Sequence, residues 1–420
     1  MRTGSWFMIA ALSLVSAVAS TEQETRNMAD PRTEEASALM MGFAERTGLT
    51  SENPPHRYLW TDAFAVCNFL GLARATGEDR YMALALRLVD QVHHTLARHR
   101  HDDRRTGWIS GLSESEGESH PTQGGLRIGK ELTERGPREP FDERLEWERD
   151  GQYFHYLTQW MHALDQVTRS TGQPNFNRWA RELAETAYRS FTYLPAPGTR
   201  RRMYWKMSID LTRPLVSSMG QHDPLAGYIT TVQLRATADR LPEPVGGPHL
   251  KEEINQLAAM VKGKDWATAD PLGLGGLLVD AYRIEQLLQQ GSALDERLLE
   301  TVLTTALEGI PQYMRSGDRQ RRAEHRLGFR ELGLTIGLHA VRCLWQTWER
   351  NPERLSTRSS IRVILQALMQ YAPLADEIEL FWRNPEHQRT GTWLEHRDIN
   401  DVMLATSLQP KGFLVLSSYH

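Results

Sequence analysis

The 420-residue sequence predicts an all-α fold: a closed ring of helical hairpins with long loops gathered at one mouth. Three observations predict it. After Thr33, apolar residues recur almost everywhere with the 3.6-residue period of a helix, and strand signals are scarce. Two helical pairs are joined by the same kind of turn, Thr76-Gly77-Glu78-Asp79 in one and Ser170-Thr171-Gly172-Gln173-Pro174 in the other. Turns within pairs are short, whereas connections between pairs are long and polar, notably His99 to Asp150 and Pro195 to Asp223. Elaborate loops at one end suit a ring that builds a pocket at its mouth better than an open solenoid of uniform repeats.

The chain opens with Arg2, an apolar run from Phe7 to Ala19, and small residues at Ala17 and Ala19. This run is shorter than the ~20 residues a membrane-spanning helix needs. It reads as a secretory signal peptide over 1–19, followed by a flexible segment over 20–32 and a single ring domain over 33–420. Export to the periplasm or the exterior follows, without stable membrane insertion once the signal is removed. Translation from Met28 would instead leave the protein in the cytoplasm.

A first helix from Thr33 to Arg46 is placed to close the ring against the last, Asn400 to Leu408. The first hairpin carries Phe64, Cys67, Leu70 and Leu72 on one arm and Tyr81, Leu84, Leu88 and Val92 on the other. The second runs from Gly151 through Tyr156, Trp160 and Leu164, and returns along Trp179, Leu183 and Tyr188. Further helices are expected at Pro224 to Leu241, Leu250 to Val261, Pro271 to Gln289, Leu294 to Met314, Gly328 to Arg350 and Ser356 to Tyr371. Cys67 and Cys343 lie far apart within helical patterns and read as buried free thiols.

With 40% hydrophobic and 24% charged residues the chain has ample material for a core, and a net charge of -4 gives no footprint for nucleic acid. The basic runs His99 to Arg105, Arg200-Arg201-Arg202 and Arg319 to Arg322 are short and read as solvated loops. No metal and no cofactor are expected. The sequence has no HExxH, no clustered Cys/His spacing, no GxxxxGK[ST], no GxGxxG after a strand and no GxSxG.

The repeated outer turn is Leu72-Ala73-Arg74-Ala75-Thr76-Gly77 followed by Tyr81, and again Leu164-Asp165 to Thr171-Gly172 followed by Trp179-Ala180. From about Thr33 to the end the chain resembles the six-hairpin glycosidase-like superfamily, the (α/α)6 toroid. That resemblance implies a carbohydrate substrate at the open mouth. It also implies one of the superfamily's chemistries: inverting glycoside hydrolysis, lysis or hydrolysis at uronic acids, or sugar epimerisation.

Five segments that precede or open helices combine aromatic and ionisable side chains: Arg57 to Asp62, Asp142 to Tyr156, Gln221 to Pro224, Arg326 to Glu331, and His396 to Asp401. Such a lining suits sugars, whose apolar faces stack on Trp and Tyr while their hydroxyls need carboxylate, arginine and amide partners. Glycoside hydrolysis needs two carboxyl groups. Asp150 leads as one of them and Glu146 is its neighbour. His222 and Asp223, at the end of a loop that also holds Trp205 and Asp210, are the other catalytic candidates. Substrate-binding candidates are Arg57, Tyr58, Trp60, Asp62, Arg149, Tyr153, His155, Trp205, Arg330, Glu331 and His396.

The first reading is a metal-independent glycoside hydrolase. A second is a sugar epimerase or isomerase in which His155, His222 and His396 move protons. The chain lacks the His-Pro-Gly-His-like segment of epimerase families, since His120-Pro121-Thr122-Gln123 matches it only superficially. A third is a non-catalytic toroid that binds glycan or protein, with Asp150, Asp223 and Asp270 serving as helix caps.

Overall fold

The computed structural model describes residues 30–416 except 199, 219, 242–245 and 351–358. The expected signal peptide lies outside the described residues, as does most of the 20–32 segment.

The helices in chain order begin with α1 (Pro31–Arg46), α2 (Leu59–Thr76) and α3 (Asp79–Leu96). Two short helices, α4 (Glu114–Ser119) and α5 (Glu143–Glu148), interrupt the following loop. Then come α6 (Phe154–Thr171), α7 (Pro174–Phe191), α8 (Asp223–Ala238), α9 (Lys251–Val261), α10 (Pro271–Gln289), α11 (Glu296–Arg315) and α12 (Gly328–Glu349). The chain ends with α13 (Ser359–Met369), α14 (Pro373–Trp382), α15 (Gly391–Glu395), α16 (Arg397–Leu408) and α17 (Lys411–Leu414).

The two repeated turns are the same structure. Gly77 and Gly172 end their helices in the left-handed region at φ 73° and 71°, which a side chain disfavours. In each turn the preceding threonine bonds back to its own helix, Thr76 Oγ1 to Leu72 O and Thr171 Oγ1 to Val167 O, both at 2.8 Å. The same oxygen accepts from the N–H two residues on, at 3.2 Å in both.

Six helices, α2, α6, α8, α10, α12 and α16, pack each on the next, and α16 packs back on α2, so the ring is closed. Each carries an outer partner: α3, α7, α9, α11, the α13–α14 pair and, for α16, the first helix α1. Long-range ion pairs seal that last hairpin and tie it to α14. Arg46 meets Asp401 and Asp398 of α16 at 2.7 and 2.9 Å, and Arg32 meets Glu379 of α14 at 2.7 Å. The expected closure of the first helix against the last is therefore present. Where α10 crosses α12 the backbones touch, because a Cβ on Gly275 would lie 2.1 Å from the Gly333 carbonyl oxygen.

The helix α14 is absent from the sequence expectations; Pro373 at its first position ends the preceding pattern and starts a new helix. Among the described residues, five strands of two or three residues also lie in the loops. They form a three-stranded sheet of Gln152–Tyr153, Lys206–Met207 and Pro214–Val216, and a hairpin of Thr192–Tyr193 with Arg202–Met203.

The ring is plugged at the end where the short turns lie. Phe413 stacks on Phe64 with centroids 4.4 Å apart. His162 Nε2 bonds the Phe413 carbonyl at 2.9 Å, Gln166 donates to the carbonyls of Gly412 and Val415 at 3.0 Å, and Gln286 donates to Leu414 O at 2.9 Å. The inner helices all start at the opposite end, under the long connections, which are bonded to their first turns; Leu59 N donates to Ile128 O at 3.0 Å and Ile128 N to Gly151 O at 2.8 Å. Among the described residues no helix is long and apolar enough to cross a membrane.

Candidate active site at the ring mouth

The first turns of α2, α6 and α8 bring Tyr58, Tyr153, His155, Tyr156 and Asp223 to the mouth, and the loop strand Lys206–Met207 places Trp205 over them. Tyr58 and Tyr156 share a hydroxyl hydrogen bond of 2.6 Å. Tyr153 lies 5.4 Å from Trp205 and 5.3 Å from His155 between ring centroids, and His155 stacks nearly parallel to Trp205 at 6.3 Å. Trp147 closes edge-on against Trp205 at 4.6 Å. Burial raises the pKa of all three tyrosines, so each phenol stays neutral and able to donate.

His155 and Asp223 form the centre of this group, with Nδ1 3.9 Å from the carboxylate Oδ1. His155 Nδ1 and Asp223 Oδ2 are both buried without a hydrogen-bond partner. The backbone of Gly220 lies so close that a Cβ there would sit 2.3 Å from Asp223 Oδ2. Burial, with no hydrogen-bond partner on Oδ2 among the described residues, pushes the Asp223 carboxyl up to about 7, although the Lys264 ammonium pulls the other way. His155 keeps 32% of its side-chain surface, so one side of the ring remains open, but desolvation lowers its pKa to about 4. At neutral pH the imidazole is neutral beside a carboxyl near its own midpoint.

The two Asp-Pro helix starts, alike in sequence, are unlike in structure. Asp270 is the N-cap of α10, accepting from Gly273 N at 2.8 Å and from Arg330 at 2.7 Å. At α8 the N-cap is His222, which bonds the Trp266 carbonyl through Nε2 at 3.0 Å. Asp223 is already inside the helix, its side chain turned to His155. His222 is thus a tether between loops rather than a group facing the pair.

Asp150 is fully buried and saturated. Its Oδ2 accepts from Arg100 at 3.2 Å and Arg127 at 2.9 Å, and its Oδ1 from the N–H groups of Gly129 and Gly151 at 3.0 Å each. Nor does it cap α6, which begins four residues later. Glu146 is likewise enclosed, bound by Arg135 at 2.8 Å and Lys206 at 3.2 Å. Both carboxylates are committed to locking the loop, which is why the carboxylate pair expected from sequence is not free at the mouth.

The remaining candidates are spread around the ring. Arg57 and Asp62 form a buried pair at 3.3 Å, with burial raising Asp62 to about 6, and Trp60 is core, packed on Phe64 at 4.6 Å. Glu331 is buried between Arg326 and Trp382 Nε1 at 2.6 and 2.7 Å. Arg149 is held by Glu139. Arg330 pairs with Asp270, and His396 is exposed against Phe329, 5.6 Å away. His120, of the superficial epimerase match, is bonded to Glu182 at 2.8 Å. Among the described residues no three His, Cys, Asp or Glu side chains group as metal ligands.

No family model and no curated protein matches the chain. Solved structures with a similar course include a sugar epimerase from a ruminal bacterium, at 9% identity and TM-score 0.45 over 84% of this chain and 87% of that one. Cellobiose 2-epimerase from Bacillus thermoamylovorans gives 10% identity and TM-score 0.42 over 81% and 87%. The corresponding enzyme from Spirochaeta thermophila gives 13% and 0.42 over 83% and 86%. The architecture itself is decided by the closed ring of helix contacts described above. It is the six-hairpin (α/α)6 toroid. Of the residues that sequence singled out, this toroid gathers Tyr58, Tyr153, His155, Trp205 and Asp223 at its mouth. Tyr156, one turn along from Tyr153 on α6, joins them, and its place in the same aromatic segment was the signal available for it.

Proposed function

We propose that the protein is a carbohydrate-active enzyme of the epimerase or isomerase class, moving a proton at a sugar carbon with His155 and Asp223. One observation carries this reading: a histidine and a carboxyl 3.9 Å apart, each with an unpartnered buried atom, beneath a cluster of aromatic rings. Between about pH 4 and about pH 7 the pair holds one proton, on Asp223, with His155 neutral.

The open-chain form of a sugar packed on Trp205 and Tyr153 presents a C–H next to its carbonyl. His155 takes that proton, the electron pair moves onto the carbonyl oxygen, and Asp223 supplies a proton to give the enediol. Return of a proton from the protonated His155 to carbon, with transfer of the enediol hydroxyl proton back to the Asp223 carboxylate, gives the isomerised sugar and restores both groups. The tyrosine hydroxyls are neutral donors for the oxygens. Hydrolysis is less well supported, because Asp150 and Glu146 are each bound by two cations and, among the described residues, no second carboxylate is hydrogen-bonded or ion-paired to the His155–Asp223 pair.

The test is incubation with aldoses and disaccharides in deuterated water. Incorporation of one deuterium at the carbon beside the anomeric centre, lost in both His155→Ala and Asp223→Asn, is expected. Release of a new reducing end without carbon-bound deuterium would replace this reading by hydrolysis. Full turnover in both variants would remove the pair from the chemistry.

A further inference from the structure

At the mouth end, between the loop after α7 and the loop after α9, lies a cavity of about 480 Å³. Its lining includes Arg200, Arg201, Arg202 and Lys264, with Asp265 as the one carboxylate. Three arginines with no acid closed on them are unusual in this protein, where arginines elsewhere close on acids: Arg100 and Arg127 on Asp150, Arg169 on Asp165, Arg326 on Glu331.

The three arginines are held by neutral groups instead. Arg200 donates to the Lys262 carbonyl. Arg201 lies over the Tyr188 ring at 6.0 Å and reaches Thr192 Oγ1 at 3.4 Å. Arg202 is fixed through its backbone by the strand pair with Tyr193, whose ring stacks on Tyr204 at 4.2 Å. Among the described residues none of the three makes an ion pair, and all three line the cavity.

The cavity is tied to the site above. Lys264 Nζ stands 5.5 Å from the Trp266 ring, and the carbonyl of Trp266 holds His222, the residue before Asp223. Gln221 donates to Ala267 O at 2.7 Å, so the segment that carries Asp223 is bonded to the one that carries Lys264.

We propose that this cavity seats the anionic end of the substrate, a carboxylate, sulfate or phosphate ester on the sugar, gripped by Arg200, Arg201, Arg202 and Lys264. The assignment rests on the reading that the sugar reacts at His155 and Asp223. Guanidinium forks match the planar or tetrahedral oxygens of such groups, and charge-assisted bonds of this kind are among the stronger ones.

The experiment is titration calorimetry on the full chain at low ionic strength, where screening is weak. The probes are sodium sulfate alone, galacturonic acid, glucose 6-phosphate and unmodified glucose. Charged sugars are expected to bind at least about tenfold more tightly than glucose, and the Arg200→Ala/Arg202→Ala double variant to lose about tenfold to a hundredfold. Both arginines are exposed, so the double variant keeps its core. Preference for galacturonic acid identifies a uronate, and preference for glucose 6-phosphate with binding of sulfate identifies an ester. Equal binding of glucose and the charged sugars, or wild-type affinity in the double variant, overturns the proposal.

Failure of the two readings is distinguishable. Anion binding that is lost in the arginine variant while Asp223→Asn keeps full turnover upholds the cavity and removes the proton-transfer pair. Turnover of a neutral sugar that depends on Asp223, without any gain from charge, does the reverse.

Discussion

Replacing Asp223 by Asn is expected to stabilise the protein by an amount that is nil below about pH 4, grows between about pH 4 and 7, and is complete above about pH 7. The buried carboxyl titrates at about 7 against an ordinary 3.8. Below about pH 4 the acid is protonated in the folded and unfolded chains alike, so it contributes no difference. Between about 4 and 7 the unfolded chain ionises and the folded one resists. Above about 7 the folded protein carries a charge its surroundings do not stabilise. Folding free energy is therefore lost as pH rises through this window. About 3 pH units at ~1.36 kcal/mol each amount to about 4 kcal/mol. The N-terminal end of α8 favours an anion by about 0.3–1 kcal/mol, leaving a net penalty of about 3 kcal/mol. Asn keeps the shape of the side chain against Gly220 and removes the charge. For a chain of this length the gain is roughly 3 °C in Tm at pH 8.5, with no gain at pH 4. Paired urea and thermal melts of the two proteins at both pH values measure it. A variant that is equally stable or less stable at pH 8.5 would show that the carboxylate has a partner in the folded state, and the acid–base assignment would fall with it.

Three further outcomes follow from the same geometry. The pH profile of kcat/KM for the sugar reaction is expected to be bell-shaped, falling below about 4 as His155 gains a proton and above about 7 as Asp223 loses one; a flat profile across pH 5 to 9 would exclude the pair. Asp150→Ala is expected to destabilise the fold by about 3–5 kcal/mol, because Arg100 and Arg127 are left buried without their anion, and a near-wild-type Tm would refute its role as the lock of the mouth loop. Phe413→Ala removes a ring stacked on Phe64 and packed against His162, and a loss of about 3–5 kcal/mol in urea melts is expected; an unchanged midpoint would show that the C-terminal plug is not part of the cooperative fold.

The hairpins were legible because their signals are local. A Gly at the helix end, a Thr that bonds back to its own helix and an apolar stripe of period 3.6 all act within a few residues, and Thr76-Gly77 and Thr171-Gly172 behave alike for that reason. The α14 start was equally local but lay beyond a pattern that ran up to Tyr371, so Pro373 was not read as a new beginning. The site was legible only as a set of segments. Asp150 and Asp223 look interchangeable in sequence, each an acid near the start of a helix. What separates them is distance along the chain: the cations that capture Asp150 sit 50 and 23 residues before it, whereas among the described residues no guanidinium pairs with Asp223. The cationic cavity was hidden for the same reason, since Arg200-Arg201-Arg202 gains meaning only when the loop bearing Lys264 folds against it.

The contrast between these two acids also explains why a stable ring would keep an unpaired carboxyl. Asp150, Asp165, Glu331 and Glu379 are all buried, and each is met by an arginine at 2.6–3.2 Å. The fold therefore has a ready means of neutralising buried acids and uses it repeatedly. At Asp223 it withholds that means, with a neutral imidazole as the nearest ionisable contact and a glycine backbone laid over Oδ2. An arginine there would make the protein more stable and would fix the carboxyl as an anion. Without one, the group titrates near neutral pH and can both give and take a proton. A loss of stability at a buried acid that no arginine meets among the described residues, at the open end of the ring and among rings suited to a sugar face, is the arrangement expected where selection acts on chemistry rather than on folding.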